Sequence, residues 1–162
     1  PLTSYSEDAQ DLEEWWRRKG NARWAEHRRL FLTLLEQQAH LERMARIIGK
    51  DALPPDQQLT LLCAELVNEG FLRQSALSPT DAYASPERQT AMQRILARFI
   101  TLAREAVAAD IEVEEVRAMD AFRKLQRMSE EIPEGELSQF DTLASELDSE
   151  FARLHREASG ES

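Results

Sequence analysis

The residues able to do chemistry are few and scattered. Of three histidines in 162 residues, His27, His40 and His155, none has a second histidine one helical turn away to complete a metal-binding face. They read as surface histidines. The adjacent carboxylates Glu13-Glu14, Glu114-Glu115 and Glu130-Glu131 diverge around a helix, because only side chains three or four apart share a face, and they read as solvated charges. Spacing alone leaves a Ser–His–Asp or Cys–His arrangement open. The single cysteine, Cys63, however, lies among Leu61, Leu62, Ala64 and Leu66 with no basic neighbour to favour its thiolate. It reads as a small core residue, in keeping with a reducing compartment. The phosphate loop GxxxxGK[ST], GxGxxG and HExxH are all missing from the sequence. No catalytic residue and no metal site are expected in this piece.

One stretch mixes aromatics with cations: Trp15-Trp16-Arg17-Arg18-Lys19, then Arg23-Trp24 and His27-Arg28-Arg29. That is the composition of a stacking surface for single-stranded nucleic acid. Against it, Trp24 falls on an apolar helical stripe, and the chain carries a formal net charge of −10, which repels nucleic acid and anionic membrane surfaces. Core anchoring is the preferred reading, with no nucleic-acid partner. No apolar run is long enough to span a bilayer, and the start is not a signal peptide, so no direct membrane insertion is expected. The chain opens on Pro1 without a methionine, which suggests an excised piece of a longer polypeptide.

The elements that must position these residues are helical. Ala, Leu, Glu, Arg and Gln dominate, with 5 Gly and 6 Pro, a vocabulary for an all-α fold. A first helix is expected from about Glu7 to Lys19, stopped by Gly20. A second follows with Asn21 as N-cap and a stripe of Trp24, Phe31, Leu34, Leu35, Leu41, Met44, Ala45 and Ile48. Gly49 suits a left-handed position past its end. A third restarts at Pro55, with Asp56 in its first turn and Leu59, Leu62, Cys63, Leu66, Val67 and Phe71 inward. Gly70 should loosen it near Phe71. Ser85-Pro86-Glu87 caps a fourth helix with Met92, Ile95, Leu96, Phe99, Ala103, Ala106 and Val107 on one face. Asp110 to Met128 reads as a short helix and then another, ended by Pro133. The tail stripe Leu137, Phe140, Ala144, Leu147, Phe151 and Leu154 packs either on the bundle or on a partner. The expected architecture is one domain over residues 1–158, a bundle of about six helices with an αα-hairpin corner near residues 49–55, and a frayed tail at residues 159–162.

The run around that corner, IIGKDALPPDQQLTLLCAELVNEGFLRQSAL, resembles the C-terminal domain of the catalytic A subunit of V/A-type rotary ATPases. Gly49, Asp51-Ala52-Leu53-Pro54, Leu59-Thr60-Leu61, Glu69, Phe71-Leu72, Gln74 and Ala76 coincide with the family pattern. The resemblance extends through Asp81-Ala82-Tyr83 and Glu87-Arg88-Gln89, back to Leu2-Thr3-Ser4-Tyr5-Ser6, and on to Phe140 through Phe151.

The resemblance implies a helical bundle below an upstream nucleotide-binding domain that supplies the phosphate loop, with ATP or ADP and Mg bound there and not tightly by this piece. It implies a place on the peripheral, cytoplasmic face of a membrane-bound complex that couples ATP synthesis or hydrolysis to rotation of a central stalk and to proton or sodium transport. The partners implied are the upstream domain, B subunits and the central-stalk rotor subunit. In the related F-type β subunit the equivalent corner bears the DELSEED motif, which touches the rotor; the aligned residues here run from Asp51 to Gln57. Asp51, Ala52, Leu53, Pro54, Pro55 and Asp56 are therefore the expected rotor contacts. The segment after the third helix approaches adenine in the family, which points to Phe71, Gln74, Ser75, Ala76, Leu77 and Tyr83. Leu77 stands where the family usually has Phe, Gly70 where Asp is common, and Ser75 where Asn is common. A different reading of the same chain is a freestanding helical adaptor that binds a partner through the stripe Leu137 to Leu154.

Overall fold

Helix ends in this chain are decided by residues that cannot continue a helix. A computed structural model describes residues 2–72 and 85–160. The first helix, α1 (Leu2–Arg18), is longer than expected, because nothing between Leu2 and Glu7 breaks it. It closes in a Schellman turn: Asn21 N–H donates to the Trp16 carbonyl at 2.8 Å and Gly20 N–H to the Arg17 carbonyl at 3.1 Å. Gly20 takes φ +91°, which other residues rarely adopt. Helix α2 (Trp24–Ile48) follows.

Asn21 is not the α2 N-cap. Its side chain is buried and its Nδ2 donates to Gln93 Oε1 at 2.8 Å, while Arg23 occupies the cap position without a side-chain cap. A buried amide left unpaired would cost about 1–3 kcal/mol, more than an exposed cap typically provides, so the tertiary bond takes the side chain.

Helix α3 (Pro55–Val67) is apolar nearly all round: Leu59, Leu61, Leu62, Cys63, Ala64, Leu66 and Val67 are all buried. Such a helix must be enclosed, and it packs against α2 on one side and α4 (Pro86–Ala108) on the other. It loosens where expected, passing into a π turn, Asn68–Leu72. The cause lies across the bundle as well as in the entropy of glycine. A Cβ on Gly70 would stand 3.3 Å from Met128 Cε and 3.5 Å from the Leu125 carbonyl, so this turn approaches its neighbour closely, and a side chain there would need the Met128 methyl to shift by a few tenths of an ångström.

The fourth helix begins as the sequence indicates: Ser85 Oγ accepts from Arg88 N–H at 3.1 Å, and Pro86 fills the first helical position. It ends in a second Schellman turn, with Ile111 N–H on the Ala106 carbonyl and Asp110 at φ +66° in place of glycine. Next come α5 (Val113–Arg117), opened by a reciprocal Glu112–Glu115 capping box, and α6 (Asp120–Glu131). The two N–H groups at the start of α6 are capped from another helix, by the Glu150 carboxylate accepting from Asp120 N–H at 3.2 Å and Ala121 N–H at 2.7 Å.

The last helix, α7 (Ser138–Ala158), lays its stripe on the bundle: Phe140, Leu147, Phe151 and Leu154 are buried and Leu137 and Ala144 are packed against the same core. The surface an adaptor would need is therefore already used. Phe99 sits at the junction, its ring 5.6 Å from Phe122 and 5.9 Å from Phe151, which ties α4, α6 and α7 together. Seven α-helices and no strand make up the described residues, an all-α bundle with slightly more helices than the six or so expected.

Candidate functional site

The α2–α3 corner is built from inside outward. Helix α2 runs 25 residues, about 37 Å at 1.5 Å per residue, so its end lies far from the α1–α2 turn. Gly49 N–H still donates to the Ala45 carbonyl at 2.9 Å, but Gly49 itself takes φ +92° and ψ 145°. This is an extended positive-φ conformation close to the region restricted to glycine, not the left-handed helical one expected. A Cβ there would touch nothing, so glycine is needed for its backbone angle and not for space.

The angle drops the chain into a 3-10 turn, Lys50–Ala52, and brings Leu53 back beneath α2. Leu53 is 2% exposed and packs with Leu41 and Leu61, flanked by Met44 and Ala45. Of the expected contact residues, Leu53 is the buried one, and its side chain anchors the corner from inside. Asp51, Ala52, Pro54, Pro55 and Asp56 are exposed. Gln58 braces them from below, its Nε2 donating to the Leu53 carbonyl at 2.7 Å and to the Asp51 carbonyl at 3.4 Å. Pro54 and Pro55 remove two backbone φ freedoms, so the tip is stiff as well as anchored. Glu65 on α3 holds the other flank, with Lys50 Nζ at 3.8 Å and Arg117 Nη1 at 4.0 Å.

A groove of about 600 Å³ opens beside the corner between α2, α3 and α4, with Leu34, Leu59 and Val107 among its walls and Asp56 and Arg104 at its edge. Cys63 also lines it, although burial pushes its thiol up to about 12, which makes it a poor nucleophile at neutral pH.

Of the residues the resemblance places near adenine, Gln74, Ser75, Ala76, Leu77 and Tyr83 lie outside the described residues, as does the Phe71 side chain; the Phe71 backbone is in the π turn. What is visible is how that segment's two flanks are held, and both are held by α6. On one side Gly70 packs on Met128 and Leu125. On the other, the buried Arg88 donates to the Ile132 carbonyl at 2.7 Å and the Ser129 carbonyl at 3.0 Å and stacks 5.6 Å over Phe140. Glu134 adds an ion pair to Arg88 at 3.5 Å and accepts from Ser85 N–H at 2.9 Å, which holds its carboxyl below the usual range. Position 88 belongs to the family-like Glu87-Arg88-Gln89 motif, but nothing in the sequence pairs it with residues 129–134.

The aromatic–cation stretch resolves into packing. Trp16 and Trp24 are buried and stacked at 6.0 Å, joining α1 to α2, and only Trp15 of the three is exposed. His27 overturns its surface assignment: it is 3% exposed, lies against Phe31, and neither ring nitrogen has a hydrogen-bond partner. Burial, and then the nearby Arg23 and Arg94 charges, lower its pKa, with Glu26 opposing. Among the described residues no group of three or more His, Cys, Asp or Glu is placed to hold a metal ion, and no helix is long and apolar enough to cross a membrane.

Comparison with known proteins gives these features a family. The family model described as the C-terminal domain of V and A type ATP synthase matches residues 13–117. The chain is 33% identical over 153 residues to the V-type ATP synthase alpha chain of Halothermothrix orenii, covering 94% of this chain and 26% of that protein. It is 34% identical over 130 residues to the A subunit of the A-type ATP synthase of Thermofilum pendens, covering 80% of this chain and 22% of the relative. With the corresponding A subunit of the A-type ATP synthase of Haloferax volcanii it shares 33% identity over 152 residues, 94% of this chain and 26% of that one. The chain thus spans about a quarter of the length of the curated relatives it matches.

Proposed function

The chain belongs to the family of C-terminal domains of V and A type ATP synthases, and from that membership we propose that it carries nucleotide-driven movement to a rotating central stalk through the α2–α3 corner. The observation that carries this reading is the construction of the corner: a stiff, braced tip, pinned by Leu53 and closed by Pro54 and Pro55, with Asp51, Ala52 and Asp56 left outside. A lever must be rigid where it pushes, and a rigid-body tilt of a packed bundle is how domain closure is passed on.

In this reading ATP or ADP, with Mg, binds an upstream domain of the same polypeptide, next to B subunits, on the cytoplasmic peripheral face of a complex that moves protons or sodium. The segment containing Phe71, Gln74, Ser75, Ala76, Leu77 and Tyr83 lies near the adenine. Gly70 and Arg88, both held on α6, pass its movements into the bundle. A ligand moves the bundle only to the extent that it binds one arrangement better than the other.

The test uses the complete complex. Replacing Asp51, Ala52 and Asp56 together by bulky or oppositely charged residues should weaken the coupling of hydrolysis to rotation, while the thermal midpoint of the polypeptide stays unchanged. Full coupling in that variant would overturn the corner's role.

A further inference from the structure

The acids the resemblance brings forward are not the only exposed feature of the corner. On its α2 side, Ile47 is 83% exposed and Ile48 49%, the two most exposed large apolar side chains among the described residues. The fold does not use them: Met44 and Ala45, one turn earlier, already cover the Leu41–Leu53–Leu61 cluster. Arg43 and Arg46 lie four and one positions before Ile47, so Arg43 and Ile47 share a helix face and Arg46 borders it. Both arginines are exposed, and neither has an ion-pair partner among the described residues. In a chain of net charge −10 this is a cationic island with an apolar centre.

An apolar centre rimmed by arginine is the make-up of a protein contact, with arginine enriched and the rim polar. The sign of the rim selects the partner. At the corner itself, a surface rich in carboxylates is repelled by Asp51 and Asp56 and attracted on the side of Arg43 and Arg46. We propose that Ile47 and Ile48 seat in an apolar patch bordered by carboxylates on the stalk protein, with Arg43 and Arg46 facing those carboxylates. This rests on the corner being a stalk contact and deepens it: beside the acidic tip, the apolar and basic α2 side makes the closer contact.

The experiment is site-specific photo-crosslinking in the complete complex, with p-benzoylphenylalanine introduced in turn at Ile47 and at Asp56. Capture of the stalk protein from position 47, several-fold above that from position 56, is the expected result. The double substitution Arg43→Glu and Arg46→Glu should then cut capture from position 47 several-fold at low salt. Capture unchanged by this reversal overturns the carboxylate-bordered partner. Stalk capture from position 56 without capture from 47 overturns this inference and leaves the stalk-contact reading standing. Capture from neither position removes both, and capture from 47 of nothing but lipid or a non-stalk component overturns the inference.

Discussion

Replacing Arg88 by methionine isolates what holds the start of α4 to the end of α6. Arg88 is 2% exposed, and its guanidinium makes two charge-assisted bonds, to the Ile132 and Ser129 carbonyls at 2.7 and 3.0 Å. Bonds of this kind contribute about 1.5–3 kcal/mol each. Methionine keeps much of the volume and avoids burying a charge, which returns part of that loss. The Glu134 side chain is 56% exposed, so it regains water when its partner goes, and the ion pair contributes under about 1 kcal/mol. The net expectation is a destabilisation of roughly 2–4 kcal/mol. For a domain of this size that corresponds to a fall in Tm of about 5–12 °C.

Urea unfolding followed by far-UV circular dichroism measures the first figure and a thermal melt the second. Arg88→Lys, which keeps the charge but cannot fork to two carbonyls, should fall between methionine and wild type. A double-mutant cycle with Glu134→Gln should give a coupling below about 1 kcal/mol. A loss for Arg88→Met under about 0.5 kcal/mol, the range of surface substitutions, would refute the assignment of Arg88 as the tie between α4 and α6.

Other substitutions probe other parts of the same structure. The unfolded chain takes up a proton at His27 near the ordinary value of 6.5, while the folded chain does so only at lower pH. The unfolded state therefore binds more protons in that window, and stability should fall as pH drops below about 6.5, by at most about 1.4 kcal/mol per pH unit. His27→Phe should abolish this part of the pH profile, and a profile identical to wild type in urea titrations would contradict it. Leu53→Ala should destabilise by about 2–3 kcal/mol, whereas Asp51→Ala should stay within about 0.5 kcal/mol; equal effects in denaturant melts would place Leu53 outside the core. Gly70→Ala should change stability by less than about 1 kcal/mol, because the Met128 methyl can yield. Gly70→Asp should cost on the order of 2–4 kcal/mol at neutral pH by forcing a carboxylate toward the Leu125 carbonyl, with part of the loss recovered in acid.

Most of the fold was legible because its signals are local. The spacing of three and four in Met92, Ile95, Leu96, Phe99 and Ala103 selects a helix and its inward face, and those residues are buried. Ser85 with Pro86, Pro55 and Pro133 mark helix ends through bonds and torsions within a few residues, and the helices begin or stop beside them. The resemblance carried by the GKDALP run is likewise one-dimensional, and the family match covers it. Even the loosening at Gly70 could be read, although its second cause could not, since Met128 lies far along the chain.

What the tertiary structure decided is the set of residues whose environment is made by distant partners. Ile48 fits the apolar stripe of α2 yet is exposed, because the chain turns away at Gly49 and, among the described residues, no element covers the helix end. Leu53 sits in a polar, proline-rich loop yet is buried, because the same turn folds it back under Leu41. His27 and Asn21 have the sequence surroundings of surface residues but are buried in the bundle, where Asn21 bonds Gln93 and His27 finds no partner. Helical periodicity records which way a side chain points from its own axis; whether that direction meets water or protein depends on where the neighbouring helices end, and only the packed bundle holds that information.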